Sequence, residues 1–369
     1  MKKTTLIFTV TLLSVSMLAA GCNRTDSVQP EQGIQMLGVK DKVVQDETTN
    51  VSLSTEITRL EDGLAAVRYE GDYGFSEFLD RGGASSDAGV IDYLTSNLLS
   101  GATGLEMREN GFGCSTLAVK SPEGDALFGR NFDWEKSNAL VVSAKPVNGY
   151  ASISTVNMDF ISMGGGLNVT QMPSEIQTIA ALYAPLDGMN ERGLSISVNM
   201  IQDTATIDQL TDRPDITTTT AIRLLLDKAA NVEEALALLE QYDMHGSMGM
   251  MVHFAIADAE GHSVVVEYVD NKMVVIRTPV VTNFYMAEGE KQGIGTAQSH
   301  TRYDILMKQL EKTPAMSMEQ VRDALDSVSK DSFGEFESTE WSIVFNQSSG
   351  EVRYYHRENY ENSYTFKIK

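Results

Sequence analysis

The chain has 369 residues, 42% of them hydrophobic and 22% charged, with 8 prolines, which is enough ordinary globular sequence for one large domain or two small ones. Its formal net charge of −22 repels nucleic acid and anionic membrane surfaces, and that excludes a nucleic-acid-binding role. Two cysteines cannot build a disulfide framework, and no metal-ligand spacing occurs, so neither a stapled domain nor a metal or cofactor site is expected.

Lys2 and Lys3 precede an apolar run, LIFTVTLLSVSMLAA (6–20), that ends in LAAGC. This is the plan of a bacterial lipoprotein leader over residues 1–21, with Cys22 as the lipidated first residue. Ala19 stands where leucine is usual, and plain secretory cleavage is the alternative. Residues 22–50 are polar and read as a tether with a root-mean-square reach of roughly 30 Å. The expected location is the bacterial cell envelope, with the protein anchored to a membrane by lipid and facing outside the cytoplasm. No later apolar run reaches the ~20 residues needed to span a bilayer.

Residues 51–113 carry apolar positions at helical spacing around Gly and Ser breaks, which predicts a mostly helical segment, either a pro-segment or a small chain. From Cys114 to residue 369 strands dominate. CSTLAVK, the turn SPEGD and ALFGRNFDW predict a hairpin over 114–134. Further strands are expected in ALVVSAKPV, ASISTVNM, TIAALYAPL and GLSISVNMI. Residues 219–242 predict helix, restarting at NVEEA, and MMVHFAIAD and HSVVVEYVD predict a second hairpin. KMVVIRT and VVTNFYM are further strands, two helices follow over 301–330, and EWSIVFNQSSGEVRYYHREN closes as a hairpin before SYTFKIK. Blocks of strands alternating with blocks of helices predict an α+β fold of antiparallel sheets packed face to face with helices outside.

With Cys22 assigned to the leader, Cys114 is the remaining free thiol. A thiol needs a neighbouring base or cation to become nucleophilic. None of the five histidines sits in a signature of a histidine-assisted cysteine site, and His253 reads as a satisfied strand residue. A second route needs no histidine. If the Gly113–Cys114 bond is cut, the new α-amine, with a pKa of ~7.7–8.0, is held beside the thiol as its base. Gly113, being small, suits such a cut, and a strand beginning at Cys114 suits a nucleophile at a new chain end.

GCSTLAVKSPEGDALFGRNFDW resembles the opening of the linear-amide C–N hydrolases, a group of N-terminal-nucleophile hydrolases. The group includes choloylglycine (bile-salt) hydrolases, penicillin V acylases, acid ceramidase and N-acylethanolamine acid amidase. Arg130 and Asp133 follow Cys114 in GRNFDW. DGMNERGLSISVNM resembles the segment supplying an oxyanion residue, here Asn199, and VVTNFYM the strand bearing a second, Asn283. SHTRYDIL resembles the segment that opens a helix with an arginine, here Arg302. The resemblance covers 114 to about 356.

What it implies is a four-layer αββα sandwich and hydrolysis of linear non-peptide amides. The N-acyl amide substrate would have a fatty-acyl or bile-acid group. Arg130 and Arg302 would favour the thiolate, Asp133 would orient the α-amine, and Asn199 and Asn283 would stabilise the oxyanion of a thioester-forming reaction. In bile-salt hydrolases the nucleophile follows the initiator methionine, whereas here it is internal, so cleavage must come first. The Asn283–Arg302 stretch is short beside that of bile-salt hydrolases and penicillin V acylases, which disfavours their type of tetramer. The alternatives are a Cys–His peptidase and a non-catalytic lipoprotein that binds lipid or peptide.

Overall fold

The computed structural model describes residues 47–99, 104–107, 113–163, 167–331 and 337–368. The expected leader, the lipidation site Cys22 and the tether up to residue 46 lie outside the described residues. Val44–Lys369 cluster as one compact unit, so the segment before Cys114 and the chain after it share a body.

The elements run as follows. Before Cys114 come β1 (Glu47–Asn50), β2 (Thr58–Glu61), β3 (Leu64–Gly71), α1 (Phe75–Asp80), α2 (Asp87–Tyr93) and β4 (Leu105–Met107). The chain continues through β5 (Gly113–Lys120), β6 (Ala126–Trp134), β7 (Ala139–Pro146), β8 (Ser152–Asn157), β9 (Ile161–Met163) and β10 (Leu167–Asn168). Then follow α3 (Ser174–Leu182), β11 (Asp187–Asn190), β12 (Ser195–Ile201), β13 (Asp215–Thr217), α4 (Thr218–Lys228), α5 (Val232–Leu239) and β14 (Asp243–His245). Next are β15 (Met251–Ala257), β16 (Ser263–Val269), β17 (Lys272–Arg277) and β18 (Val280–Val281). Last come α6 (Ala297–Lys312), α7 (Met318–Asp326), β19 (Ser338–Asn346), β20 (Glu351–His356) and β21 (Asn362–Lys367).

Among the described residues, two large sheets dominate an α+β fold. One has the order β1-β21-β20-β19-β6-β5-β18, the other β17-β16-β15-β12-β11-β8-β7-β3-β2. Side-chain alternation splits the seven-stranded sheet cleanly. Leu117, Leu127 and Val344 face α6 and α7, where Leu306, Val321 and Leu325 meet them. Phe128, Phe132, Trp341, Ile343 and Phe345 face the other way, into the main core shared with the nine-stranded sheet, and β5 packs over β12. Helix α4 lies on β11 and β12 of the second sheet. It comes so close that a Cβ on Gly188 would sit 2.8 Å from Leu226 Cδ1.

Several expectations are corrected. The sheets are mixed rather than purely antiparallel, because β1–β21, β3–β7 and β13–β14 run parallel. Each of those pairs joins segments far apart in sequence, and only long connections can make strands parallel. The pairs joined by tight turns, such as β5–β6 and β15–β16, are antiparallel as expected. Among its described residues the 51–113 segment holds the short helices α1 and α2 but is not mostly helical. Its β3 is an eight-residue strand inside the nine-stranded sheet. The final four residues of the expected tether form β1.

TIAALYAPL (178–186) is not a strand, since Ser174–Leu182 form helix α3. An uninterrupted buried apolar run fits either a core helix or a core strand, and two consecutive alanines tip it toward helix.

Candidate active site

The hairpin β5–β6 sets the site. Cys114 pairs with Phe132 and Gly113 with Asp133 across the ladder. Arg130 lies two residues from Phe132 and therefore shares the inter-sheet face with Cys114, whereas Asp133 lies on the opposite, helix-covered face. An Arg130–Asp133 intrastrand pair is thus geometrically closed, and each residue pairs elsewhere.

On the inter-sheet face Cys114 is fully buried. Arg130 Nη2 donates to Cys114 Sγ at 3.3 Å, and the thiol donates to the Val198 carbonyl of β12 at 3.5 Å. Arg130 is itself buried, with Nη1 donating to Leu186 O at 2.6 Å and Nε 3.2 Å from Asp187 Oδ2. Trp341 Nε1 also donates to Asp187 Oδ2, at 3.1 Å, while its ring stacks on Phe132 at 3.9 Å. Burial pushes the Asp187 carboxyl upward, and the Arg130 guanidinium opposes that shift.

On the helix-covered face Arg302 of α6 reaches the main chain of Cys114 rather than its sulfur. Its Nη1 donates to Cys114 O and Ser115 Oγ, both at 2.6 Å, and lies 3.4 Å from Asp133 Oδ2. Its Nη2 donates to Asn283 Oδ1 at 2.8 Å. The same oxygen accepts the Cys114 backbone N–H at 2.9 Å, so Asn283 touches the nitrogen of the Gly113–Cys114 bond. Asn283 commits one hydrogen of its amide nitrogen to Met200 O at 2.7 Å. Asp133 accepts from Thr339 Oγ1 at 2.8 Å and lies 3.5 Å from Lys330 Nζ, and Lys330 in turn pairs with Glu337.

Asn199 sits apart from this network. It is buried in β12 next to Val198, its amide donates to Val281 O at 3.5 Å, and its oxygen accepts from Ser197 Oγ.

The expectation that two arginines make the thiol acidic is reversed in the intact chain. Burial is the dominant influence and pushes the Cys114 thiol up to about 12; Arg130 lowers it, Asp133 raises it and Arg302 lowers it. Each guanidinium stands beside a carboxylate, so their fields largely cancel and desolvation wins. Uncut protein is therefore expected to resist native labelling by iodoacetamide at pH 8, while labelling after unfolding at the same pH. Rapid native labelling of uncut chain would contradict this.

Gly113 does not have a positive φ, so it is required here by space rather than by backbone sign. A Cβ there would lie 2.5 Å from Glu337 Oε1, 2.8 Å from Lys330 Nζ and 3.0 Å from Asp133 Oδ2. All three are ends of movable side chains, so a methyl group would displace the Lys330–Glu337 pair rather than break the fold. Gly113→Ala is expected to cost under about 1 kcal/mol of stability, read by thermal melt. It would nevertheless slow the appearance of any fragment beginning at Cys114, read by mass.

Asp187, Lys330, Glu337 and Thr339 were not among the sequence candidates. Asp187 lies in DGMNERGL, where its position before a strand glycine was an available signal, but Lys330 and Glu337 stand in no motif. The five histidines are all engaged elsewhere: His245 with Asp208 and Asp215, His253 with Glu267, His262 with Asp258, His300 with Gly293 O, and His356 with Glu61. None hydrogen-bonds Cys114, which removes the support for a Cys–His site. Among the described residues no cluster of His, Cys, Asp or Glu is arranged to hold a metal ion.

Two facing sheets, with a buried cysteine at the start of the strand next to one sheet's edge, make an α+β fold consistent with the N-terminal-nucleophile hydrolases. Residues 114–285 match the family described as linear amide C–N hydrolases, choloylglycine hydrolase family, and that match points to this superfamily. A variant of conjugated bile acid hydrolase from Clostridium perfringens shares the fold at a TM-score of 0.50 and 17% identity, covering 69% of this chain and 92% of that one. Another mutant of the same enzyme aligns at 0.49 and 17% identity over 69% and 96% of the two chains. Penicillin V acylase from Agrobacterium tumefaciens aligns at 0.48 and 19% identity over 69% and 86%. No curated protein matches the chain by sequence.

Proposed function

We propose that the protein is an amidase that cleaves the C–N bond of N-acyl amides with a hydrophobic acyl group, through Cys114 exposed as a new N-terminus. The supporting observation is the single polar network that converges on both atoms needed, with Arg130 on the sulfur and Asn283 and Arg302 on the main chain of Cys114. In this reading the overall architecture is the four-layer αββα sandwich.

The chemistry begins with scission of Gly113–Cys114. The thiol attacks the Gly113 carbonyl carbon and the C–N bond breaks as the nitrogen takes a proton. Water then hydrolyses the resulting thioester, leaving a free Gly113 carboxylate and a Cys114 amine. In turnover that amine takes the thiol proton and the thiolate attacks the substrate carbonyl. Asn283 donates to the oxyanion, the leaving amine departs protonated, and water releases the acid. Asp133, held by Arg302, Lys330 and Thr339, orients the amine. Asn283 Oδ1 already accepts from the nitrogen that becomes that amine, which pre-positions it.

The test is intact-mass analysis of mature protein alongside hydrolysis of a glycine-conjugated bile acid, penicillin V and a fatty-acyl ethanolamide. A fragment starting at Cys114 together with turnover of at least one substrate supports the reading. A chain that stays whole yet hydrolyses amides would sink the mechanism.

The cut halves are expected to stay together. β3 pairs with β7 over Leu64–Gly71, and β1 pairs with β21. Tyr73, Phe75 and Phe78 are buried, with Phe75 and Phe78 edge-on to Tyr183 of the later segment. Each such buried side chain contributes about 1.5–3 kcal/mol. Cleaved protein should therefore run as two bands in denaturant and one species by size exclusion. Separation under native conditions would contradict the segment's place in the sheet.

The lipoprotein leader, Cys22 anchor and envelope location are retained as part of the proposal, supported by the sequence pattern of residues 1–22. Mass of the mature N-terminus tests them.

A further inference from the structure

Asn283 lies just beyond the two-residue strand β18, where the ladder with β5 has ended. Something other than sheet pairing must hold it. His253 of β15 and Glu267 of β16 stand side by side in the core, both fully buried. His253 Nε2 donates to Thr282 O at 2.7 Å, and Nδ1 meets Glu267 Oε1 at 3.0 Å. Both ring nitrogens face oxygen atoms, so the ring is held at two points, by the main chain on one side and by the carboxyl group on the other. Glu267 then accepts the backbone N–H of Met286 at 2.8 Å and of Ala287 at 2.9 Å.

The pair thus grips the chain on both sides of Asn283, at Thr282 before it and at Met286 and Ala287 after it. Burial alone would raise the Glu267 carboxyl, but the hydrogen bond and charge of His253 and the two backbone donors outweigh it, and the net shift is downward. A second support comes from α6, where Ser299 Oγ accepts the Asn283 N–H at 2.6 Å. Burying two ionisable side chains is costly relative to apolar ones of the same size, so their place here calls for a role other than stability.

We infer that His253 and Glu267 are positioning residues for Asn283, fixing the amide that faces the reacting bond; this rests on the reading of Asn283 as an oxyanion donor. They touch neither sulfur nor substrate and act through the backbone of 282–287. Misplacement of a reacting group by about 1 Å commonly costs ~100-fold in rate.

The experiment is a double-mutant cycle on the mature protein with Asn283→Ala, His253→Gln and the double variant, assayed on the three substrates above. Melting curves confirm folding. Asn283→Ala is expected to lower kcat by ~10²–10³-fold. His253→Gln alone should lower kcat by ~10–100-fold with KM within about twofold, and should add almost nothing once Asn283 is alanine.

If Asn283→Ala leaves kcat intact, the oxyanion reading fails. If Asn283→Ala is costly but His253→Gln leaves kcat unchanged, or lowers it equally in both backgrounds, the positioning inference is overturned. Should His253→Gln not fold, Glu267→Gln replaces it in the same cycle. Failure of both to fold overturns the inference, since the pair would then be a stability element.

Discussion

Replacing Cys114 with alanine is expected to abolish hydrolysis of every N-acyl amide tested and to leave the chain whole across Gly113–Cys114. In the proposed mechanism both outcomes follow from one atom, because the same sulfur attacks the Gly113 carbonyl in maturation and the substrate carbonyl in turnover. The loss should exceed ~10⁴-fold, since covalent catalysis has no second nucleophile to fall back on. Stability should change little in comparison. The sulfur is buried, but its loss removes one atom, one weak hydrogen bond to Val198 O and the contact from Arg130 Nη2, while Arg130 keeps Leu186 O and Asp187. Activity and mass measured on the same preparation check the prediction, and residual turnover within tenfold of wild type would refute a nucleophilic role.

Arg130→Met is the second change with a large expected effect, and here stability moves as well. Arg130 and Asp187 are both fully buried and lie 3.2 Å apart. Removing the guanidinium leaves a buried carboxylate without its cation, held only by neutral donors from Trp341 and Thr155. Breaking one partner of such a pair costs ~3–5 kcal/mol, a fall in Tm on the order of 10 °C for a domain of this size. The sulfur also loses the cation at 3.3 Å, so alkylation of Cys114 in matured protein should slow by at least about tenfold.

Adding Asp187→Asn to Arg130→Met removes the orphaned charge. It should recover much of the Tm without restoring alkylation or turnover. Recovery of both together would mean that Arg130 acts only through stability.

Much of this was legible beforehand because it is local. The hairpin of 114–134 follows from alternation on either side of SPEGD, and Gly124, at a φ of 98°, sits in that turn. The restart at NVEEA follows from Asn231, whose side chain caps α5 by accepting from Glu234 N. The candidates Cys114, Arg130, Asp133, Asn283 and Arg302 do come together, through contacts spanning up to 188 residues of sequence. Asn199 does not join their network. It was read from a strand whose register brings the backbone of Val198, not the Asn199 side chain, to the sulfur.

Two of the misassigned regions fail for identifiable reasons. TIAALYAPL is buried on all sides and so carries no period that separates helix from strand. β3 reads weakly alone because half of what makes it a strand is its parallel neighbour β7, more than 60 residues later.

By itself the sequence determined the hairpin that presents the candidate side chains and the α+β class, because short-range alternation and turn residues encode both. Only the tertiary structure decided which face each side chain takes and what it meets there. Arg130 goes to the sulfur and Asp133 to the opposite face of the same strand. Arg302 grips the main chain instead of the thiol, and Lys330 and Glu337 crowd Gly113. Burial, not charge, sets the thiol of the uncut chain. Those outcomes depend on the stacking of two sheets and on groups brought together from distant sequence, and desolvation is a property of that whole packing.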